Sequence, residues 1–370
     1  MSCYTRDCMP KSKQKPFVSI CTPTFNRRPF IPIMFECFKN QTYPKNRMEW
    51  IIVDDGTDKI GDLIAAANIE QIKYVSLDKK LSLGEKRNLM HTHTKGSIIV
   101  YMDDDDYYPP ERVSHAVEIL QANPQAMCAG SSEMYIYFKH INQMYQSGPF
   151  GPNHATAATF AFRSELLKTT GYMNSAALAE ERAFLKDYTI PFVQLDPMKT
   201  ILVFSHNHNS FDKRTLLEYG ESPVLKKSPK SVELFIRQSN EKNIYNFFMK
   251  DIDALLNKYE PGDPKHKPDV ALQMAEIDKK RKEPGEGASI MLQQPGKEPV
   301  RLGPPEIVAL LQQQQEHIEK LTASLKNAET VNQMLQQRNR LLERKLAELD
   351  KHNGLETIFE VKSKSDPEFL

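Results

Sequence analysis

The chain has 370 residues, 40% of them apolar, and a formal net charge of +1. That length suits one sizeable domain with an extension, or two domains, and the near-neutral balance excludes a global field that would draw the chain to nucleic acid or an anionic membrane. The five cysteines (Cys3, Cys8, Cys21, Cys37 and Cys128) are scattered and form no Cys-x-x-Cys pair, which favours free thiols in a reducing compartment over a disulfide framework or a zinc site.

Residues 1–16 are polar and basic and hold no signal-peptide core. No later run reaches the ~18 uncharged apolar residues of a membrane span, so a cytoplasmic protein with no membrane partner is expected. Phe17 to Cys21 is the first strand candidate, and Pro29 to Asn40 reads as a helix with Phe30, Ile33, Met34 and Cys37 on one stripe. Trp50 to Val53 is a second strand stopped by Asp54-Asp55-Gly56. A helix follows at Asp62 to Ala67, a strand at Ile72 to Leu77, a helix at Leu83 to His93, and a fourth strand at Ser97 to Met102. Repeated strand–helix–strand units with right-handed crossovers predict an α/β fold, a doubly wound and mainly parallel sheet. Ligands of such sheets bind beyond the carboxyl ends of the strands. Here those ends are Thr22-Pro23-Thr24, Asp54-Asp55 and the run Asp103 to Asp106. Further on, Met134 to Phe138 reads as a strand, and Ser164 to Lys168 and Ala176 to Asp187 as helices.

The domain is expected over residues 17–259. From Pro261 to Pro305, eight prolines and five glycines fall among 45 residues, so residues 260–305 read as a linker holding a short helix near Val270 to Lys282. Residues 306–352 then repeat in heptads, with residues 353–370 as a disordered tail. Positions a are Leu311, Ile318, Leu325, Asn332, Asn339 and Leu346; positions d are Ile307, Gln314, Leu321, Ala328, Leu335, Leu342 and Leu349. Six heptads without Gly or Pro predict a C-terminal coiled coil. Its buried asparagines and the opposed charges of Arg338–Glu343 and Lys345–Asp350 favour a parallel homodimer through residues 307–349.

Four consecutive aspartates after an apolar strand point to chemistry. On an extended segment Asp103 and Asp105 share one face, and two carboxylates there repel unless a cation or proton intervenes. Hard oxygen donors suit Mg²⁺ or Mn²⁺, which could bridge to a diphosphate. Tyr107-Tyr108-Pro109-Pro110 leaves no room for an EF-hand loop.

Five motifs in order, Val18-Ser19-Ile20-Cys21-Thr22-Pro23-Thr24-Phe25-Asn26-Arg27, Gln41-Thr42-Tyr43, Ile51-Ile52-Val53-Asp54-Asp55-Gly56-Thr57-Asp58, Gly84-Glu85-Lys86-Arg87-Asn88 and Met102 to Asp106, resemble those of family 2 glycosyltransferases of the GT-A fold. The resemblance implies a nucleotide-sugar donor, with UDP the commonest nucleotide, and an acceptor hydroxyl. It places Thr22 and Thr24 at the base pocket, Asp55 as acceptor of a hydrogen bond from the base, and Arg87 near the nucleotide. It places Asp103 and Asp104 at the ribose or a metal-bound water, and Asp105 on the metal. Glu180-Glu181 resembles the acidic pair of inverting members, with Glu181 as the base and Glu180 orienting substrate; those members more often carry Glu-Asp. A histidine after the strand Ile201 to Phe204 resembles an extra metal or diphosphate ligand: His206 or His208, which strand alternation would put on one face. A nucleotidyltransferase on a related fold would need a glycine-rich turn where Thr22-Pro23-Thr24-Phe25 stands, and a non-enzymatic coiled-coil scaffold would not need Asp105.

Overall fold

The structure, a computed structural model, describes residues 14–178, 181–218, 220–282, 290–292, 300–302 and 304–353. It divides into two compact units, Met1–Lys279 and Lys280–Leu370.

The first unit is built on the four predicted strands β1 (Val18–Thr24), β2 (Met48–Asp54), β3 (Ile72–Ser76) and β4 (Ile98–Tyr101), with helices α1 (Ile31–Asn40), α2 (Gly61–Ala67) and α3 (Leu83–Thr92) between them. Helix α4 (Arg112–Ala122) follows β4. Strands β5 (Cys128–Gly130), β6 (Met134–Phe138), β7 (Gln143–Ser147), β8 (Ala161–Arg163), β9 (Phe192–Gln194), β10 (Leu202–Ser205) and β11 (Leu225–Lys227) complete the unit's sheets, and the short α5 spans Glu181–Phe184. Helices α6 (Lys242–Asn246) and α7 (Ile252–Leu256) flank a π turn, and α8 (Pro268–Lys282) begins in this unit. The main sheet runs β3-β2-β1-β4-β8-β5-β9, with β1 parallel to β2 and β4 and β2 parallel to β3, and with β8 antiparallel to both neighbours. A second sheet runs β10-β6-β7-β11.

Successive residues of the apolar strands feed two cores, one on each face. Val18, Ile20, Trp50, Ile52 and Val100 enter one cluster, and Cys21, Ile51, Val53, Ile99 and Tyr101 the other. This is the pattern of a parallel sheet covered on both sides. Trp50 stacks on Phe38 at 4.5 Å and donates its Nε1–H to Thr22 Oγ1 at 2.9 Å, while the Thr22 hydroxyl donates to Met102 O at 2.6 Å. Three elements are thereby tied together just below the sheet's carboxyl edge.

The structure departs from the expected elements in three places. The helix expected over Ala176 to Asp187 is confined to Glu181–Phe184, because Lys186, Asp187 and Tyr188 take left-handed backbone angles that end it. The strand before His206 ends at Ser205, so His206 and His208 lie in a turn and not in strand alternation. Residues 260–279, expected as the start of the linker, belong to the first unit. Three-residue strands β12 (Ile290–Leu292) and β13 (Val300–Leu302) pair in the second unit, where α9 (Pro304–Asn353) is one 50-residue helix. Its heptad side chains Leu311, Ile318, Leu325, Leu335, Leu342 and Leu346 are exposed in the single chain. Residues 1–13 and 354–370 lie outside the described residues.

Candidate active site

The carboxyl ends of β1, β2 and β4 meet at a cleft whose wall includes Thr24, Arg87, Asp103, Asp104 and Asp105. Local sequence explains the placement. Asn26 takes φ 51°, a left-handed angle asparagine tolerates; its Oδ1 accepts from the backbone N–H groups of Thr57 and Asp58 at 2.8 and 2.9 Å. The β1 and β2 turns are thus clamped to each other. Asp54 serves the turn, accepting from Gly56 N, Ile60 N and the Tyr74 hydroxyl. Helix α3 opens with a capping box between Ser82 and Glu85, and a Cβ on Gly84 would fall 2.0 Å from Met173 O, so only glycine allows this approach. That helix delivers Lys86 and Arg87 side by side to the cleft.

Each acid of the cleft meets a base. Arg27 bridges Asp104 (3.5 Å) and Asp105 (3.2 Å), and Arg87 lies 3.8 Å from Asp103. Lys86 pairs with the fully buried Asp55 and donates to Thr24 O. Burial pushes the Asp104 carboxyl up to about 7, opposed by Arg27 and reinforced by Asp105. Burial is the largest single influence on Asp105 and works to raise it, but Arg27, His206, Lys213 and Lys267 together outweigh it and hold that carboxyl well below its usual range. Burial and then Asp105 push Asp106 well above it. Burial drives His206 well below its usual value, so the ring is neutral at pH 7. Its Nε2 lies 3.6 Å from Asp105 Oδ2, and the ring is steadied by the Asn209 side chain and by the His208 backbone N–H, which donates to Nδ1. Beneath the cluster, the buried Arg112 donates to the carbonyls of Tyr101, Thr159 and Phe160 and fixes the backbone from which the aspartates spring.

The expected site residues therefore fare differently. Thr24, Arg87, Asp103, Asp104 and Asp105 converge, with all three aspartates reaching one cleft; β4 has already ended at Tyr101, so strand alternation does not separate them. His206 joins through Asp105, whereas His208 packs by Tyr259 and Gly262. Thr22 does not line the cleft: it is fully buried and bonded as a strut. Asp55 lies on an adjoining cavity, one oxygen taken by Lys86 and the other by Leu81 N. Glu181 stands at the start of α5, three residues beyond Leu178 of the cleft wall, and Glu180 lies outside the described residues. Arg27, Lys86 and Lys267 also line the cleft, and none of them was an expected site residue. The first two sit inside quoted motifs, and Lys267 sits in the supposed linker.

Part of the chain is similar to known proteins. Residues 19–185 match the model of the glycosyl transferase family 2 family. A Haemophilus influenzae protein described as an uncharacterized glycosyltransferase is 27% identical over 107 residues, 29% of this chain and 35% of that one. The chain thus spans about a third of the length of that curated relative. Among solved structures, S. aureus TarS 1–349 in complex with UDP-GlcNAc aligns with TM-score 0.42 and 20% identity, over 51% of this chain and 58% of that one. The mannosyltransferase PcManGT from Pyrobaculum calidifontis, in complex with GDP-Man and Mn²⁺, aligns with TM-score 0.44 and 15% identity, over 76% and 85%. Among the described residues no helix is long and apolar enough to cross a membrane.

Proposed function

We propose that the protein transfers a sugar from a nucleotide-sugar, a UDP-sugar in the first instance, to an acceptor hydroxyl with inversion of configuration. The observation that carries this reading is the convergence of Asp103, Asp104 and Asp105 with Arg27, Lys86 and Arg87 at the carboxyl edge of a family 2 domain. The cleft (about 150 Å³) and the adjoining cavity (about 520 Å³) share Phe25 and Lys80. The cleft alone falls below the roughly 300–1,000 Å³ of small-molecule sites, and the pair reaches it.

The donor set suits Mn²⁺ or Mg²⁺. Asp105 offers a carboxylate held ionised by Arg27 together with the other cations round it, and His206 a neutral imidazole whose Nε2, 3.6 Å away, would give up the ring proton it carries while Nδ1 accepts from His208 N–H. Among the described residues no group of three or more His, Cys, Asp or Glu could hold a metal. Asp105 and His206 would therefore hold the ion together with donor phosphate oxygens and water, the usual habit of Mg²⁺-type sites. When bound, it would neutralise charge on the departing diphosphate.

The chain's own groups have separable tasks. Arg87 holds Asp103 toward the cleft, Lys86 fixes the loop that carries Thr24, and Arg27 leads the groups that keep Asp105 charged. Glu181 takes the acceptor hydroxyl's proton as that oxygen attacks the anomeric carbon, with Glu180 orienting substrate. A single base and no covalent intermediate give inversion. Helix α9 pairs two copies through its exposed heptad stripe, as a parallel homodimer, and the buried free thiols Cys21, Cys37 and Cys128 suit a cytoplasmic setting. A thermal-shift screen of nucleotide-sugars with and without Mn²⁺ tests the reading, because a ligand that binds the folded state raises its melting temperature. A shift with at least one donor in the presence of Mn²⁺ is expected, and no shift with any donor would overturn it.

A further inference from the structure

The family 2 match ends at residue 185, yet the walls of both cavities include residues far beyond it. Glu260, Pro261 and His266 line the wider one, and Lys267, Asp269 and Val270 line the cleft. The stretch 260–279 is a strap stitched across the site. Asn26 Nδ2 donates to Pro261 O at 2.8 Å, Lys80 pairs with Asp269 at 2.5 Å, and Gln273 Oε1 accepts from the backbone N–H groups of Ala177 and Leu178 at 2.6 and 3.0 Å. Gly262 permits the entry: a Cβ there would lie 2.6 Å from His208 Nδ1 and 2.9 Å from Asn26 O.

The strap brings one ammonium into the cleft that differs from the rest. Arg27, Lys80, Lys86 and Arg87 each face a carboxylate within ion-pair distance. Lys267 Nζ donates instead to the neutral hydroxyl of Ser210 at 2.7 Å, and among the described residues it makes no ion pair. It shares the ring of Phe25 with two other ammoniums, those of Lys80 and Lys86. Three cations crowd one ring, and Asp104 and Asp105, the carboxylates that act on Lys267 across the cleft, are already bridged by Arg27, so its ammonium gains from an arriving anion. A bound diphosphate carries the charge and the acceptor oxygens that this corner lacks.

We infer that Lys267, held over the cleft by the 260–279 strap, is a donor-binding residue that takes the diphosphate of the nucleotide-sugar. This rests on the donor-site reading above and adds a residue outside the matched family domain. The cations already paired with aspartates contribute less to the anion, because their charge is compensated before it binds.

The test is calorimetric binding of UDP, GDP, uridine and guanosine to full-length protein, comparing wild type with Lys267→Met and Lys267→Arg. Loss of a charge-assisted hydrogen bond should weaken the nucleoside diphosphate roughly 10–100-fold. The matching nucleoside should bind unchanged, and arginine should restore most of the loss. In wild-type protein, UDP or GDP should also protect Lys267 from acetic anhydride labelling read by mass spectrometry, while the nucleoside should not; this arm needs no variant to fold. Diphosphate affinity unchanged in Lys267→Met, an equal loss for nucleoside and diphosphate, or labelling indifferent to UDP and GDP would overturn the inference and leave the donor site standing. If wild type bound neither UDP nor GDP, the donor-site reading itself would fall, and this inference with it.

Discussion

Replacing Lys86 by methionine should destabilise the first unit by an amount the structure lets one bound. The Lys86 side chain is 7% exposed and that of Asp55 fully buried, and their contact is direct. Removing one partner of such a pair strands a buried charge and typically costs about 3–5 kcal/mol. The Thr24 carbonyl also loses the nearer of its two donors, keeping Asp55 N–H at 3.4 Å. Adding Asp55→Asn removes the stranded charge while leaving an oxygen for Leu81 N–H, so the double variant should recover most of the loss. Urea unfolding followed by Trp50 fluorescence is a clean assay, since the chain has one tryptophan and it is fully buried in this unit. With a slope of roughly 1–3 kcal/mol/M, the single variant's midpoint should fall by about 1–5 M. A single variant within about 1 kcal/mol of wild type, or a double variant worse than the sum of its parts, would refute the view that this pair organises the cleft.

Other consequences are independent. His91 sits among Tyr101, Phe162 and Phe184, and burial, then Arg87, lowers it to about 3. Because its folded value lies below the unfolded ~6.5, its contribution to stability is present above pH 6.5 and lost as pH falls toward 3, at most about 1.4 kcal/mol per pH unit; His91→Phe should flatten that part of a stability–pH curve. Deleting residues 305–370 should turn a dimer into a folded, active monomer by light scattering, and finding full-length protein monomeric would sink the coiled-coil proposal. Glu181→Gln should lose about 10²–10⁴-fold in turnover with donor affinity unchanged; near-normal turnover, or a product with retained anomeric configuration by NMR, would exclude Glu181 as the base.

The sheet was legible because its strands are short apolar runs that stop at polar clusters, and the structure joins the ends of β1, β2 and β4 as that pattern requires. The aspartates were legible for the same reason, and Arg87 through its place in the Gly84-to-Asn88 motif. Thr22 was not: its neighbours in sequence say only that a strand is ending, whereas its role as a strut depends on Trp50 and Met102, 28 and 80 residues away. The strap was hidden by composition. Its prolines and charges resemble a linker, and only the long-range partners of Gly262, Lys267 and Gln273 hold it to the domain. The reach of α5 was overstated, since a run of helix-compatible residues carries no sign of the three left-handed residues that close it.

The most direct trial of the central claim is release of nucleoside diphosphate from a nucleotide-sugar in the presence of Mn²⁺, comparing wild type with Asp105→Ala at matched folding by circular dichroism. The account predicts turnover by wild type with at least one donor, abolished both by EDTA and by the substitution. Equal turnover by Asp105→Ala, or full activity in EDTA, would contradict it.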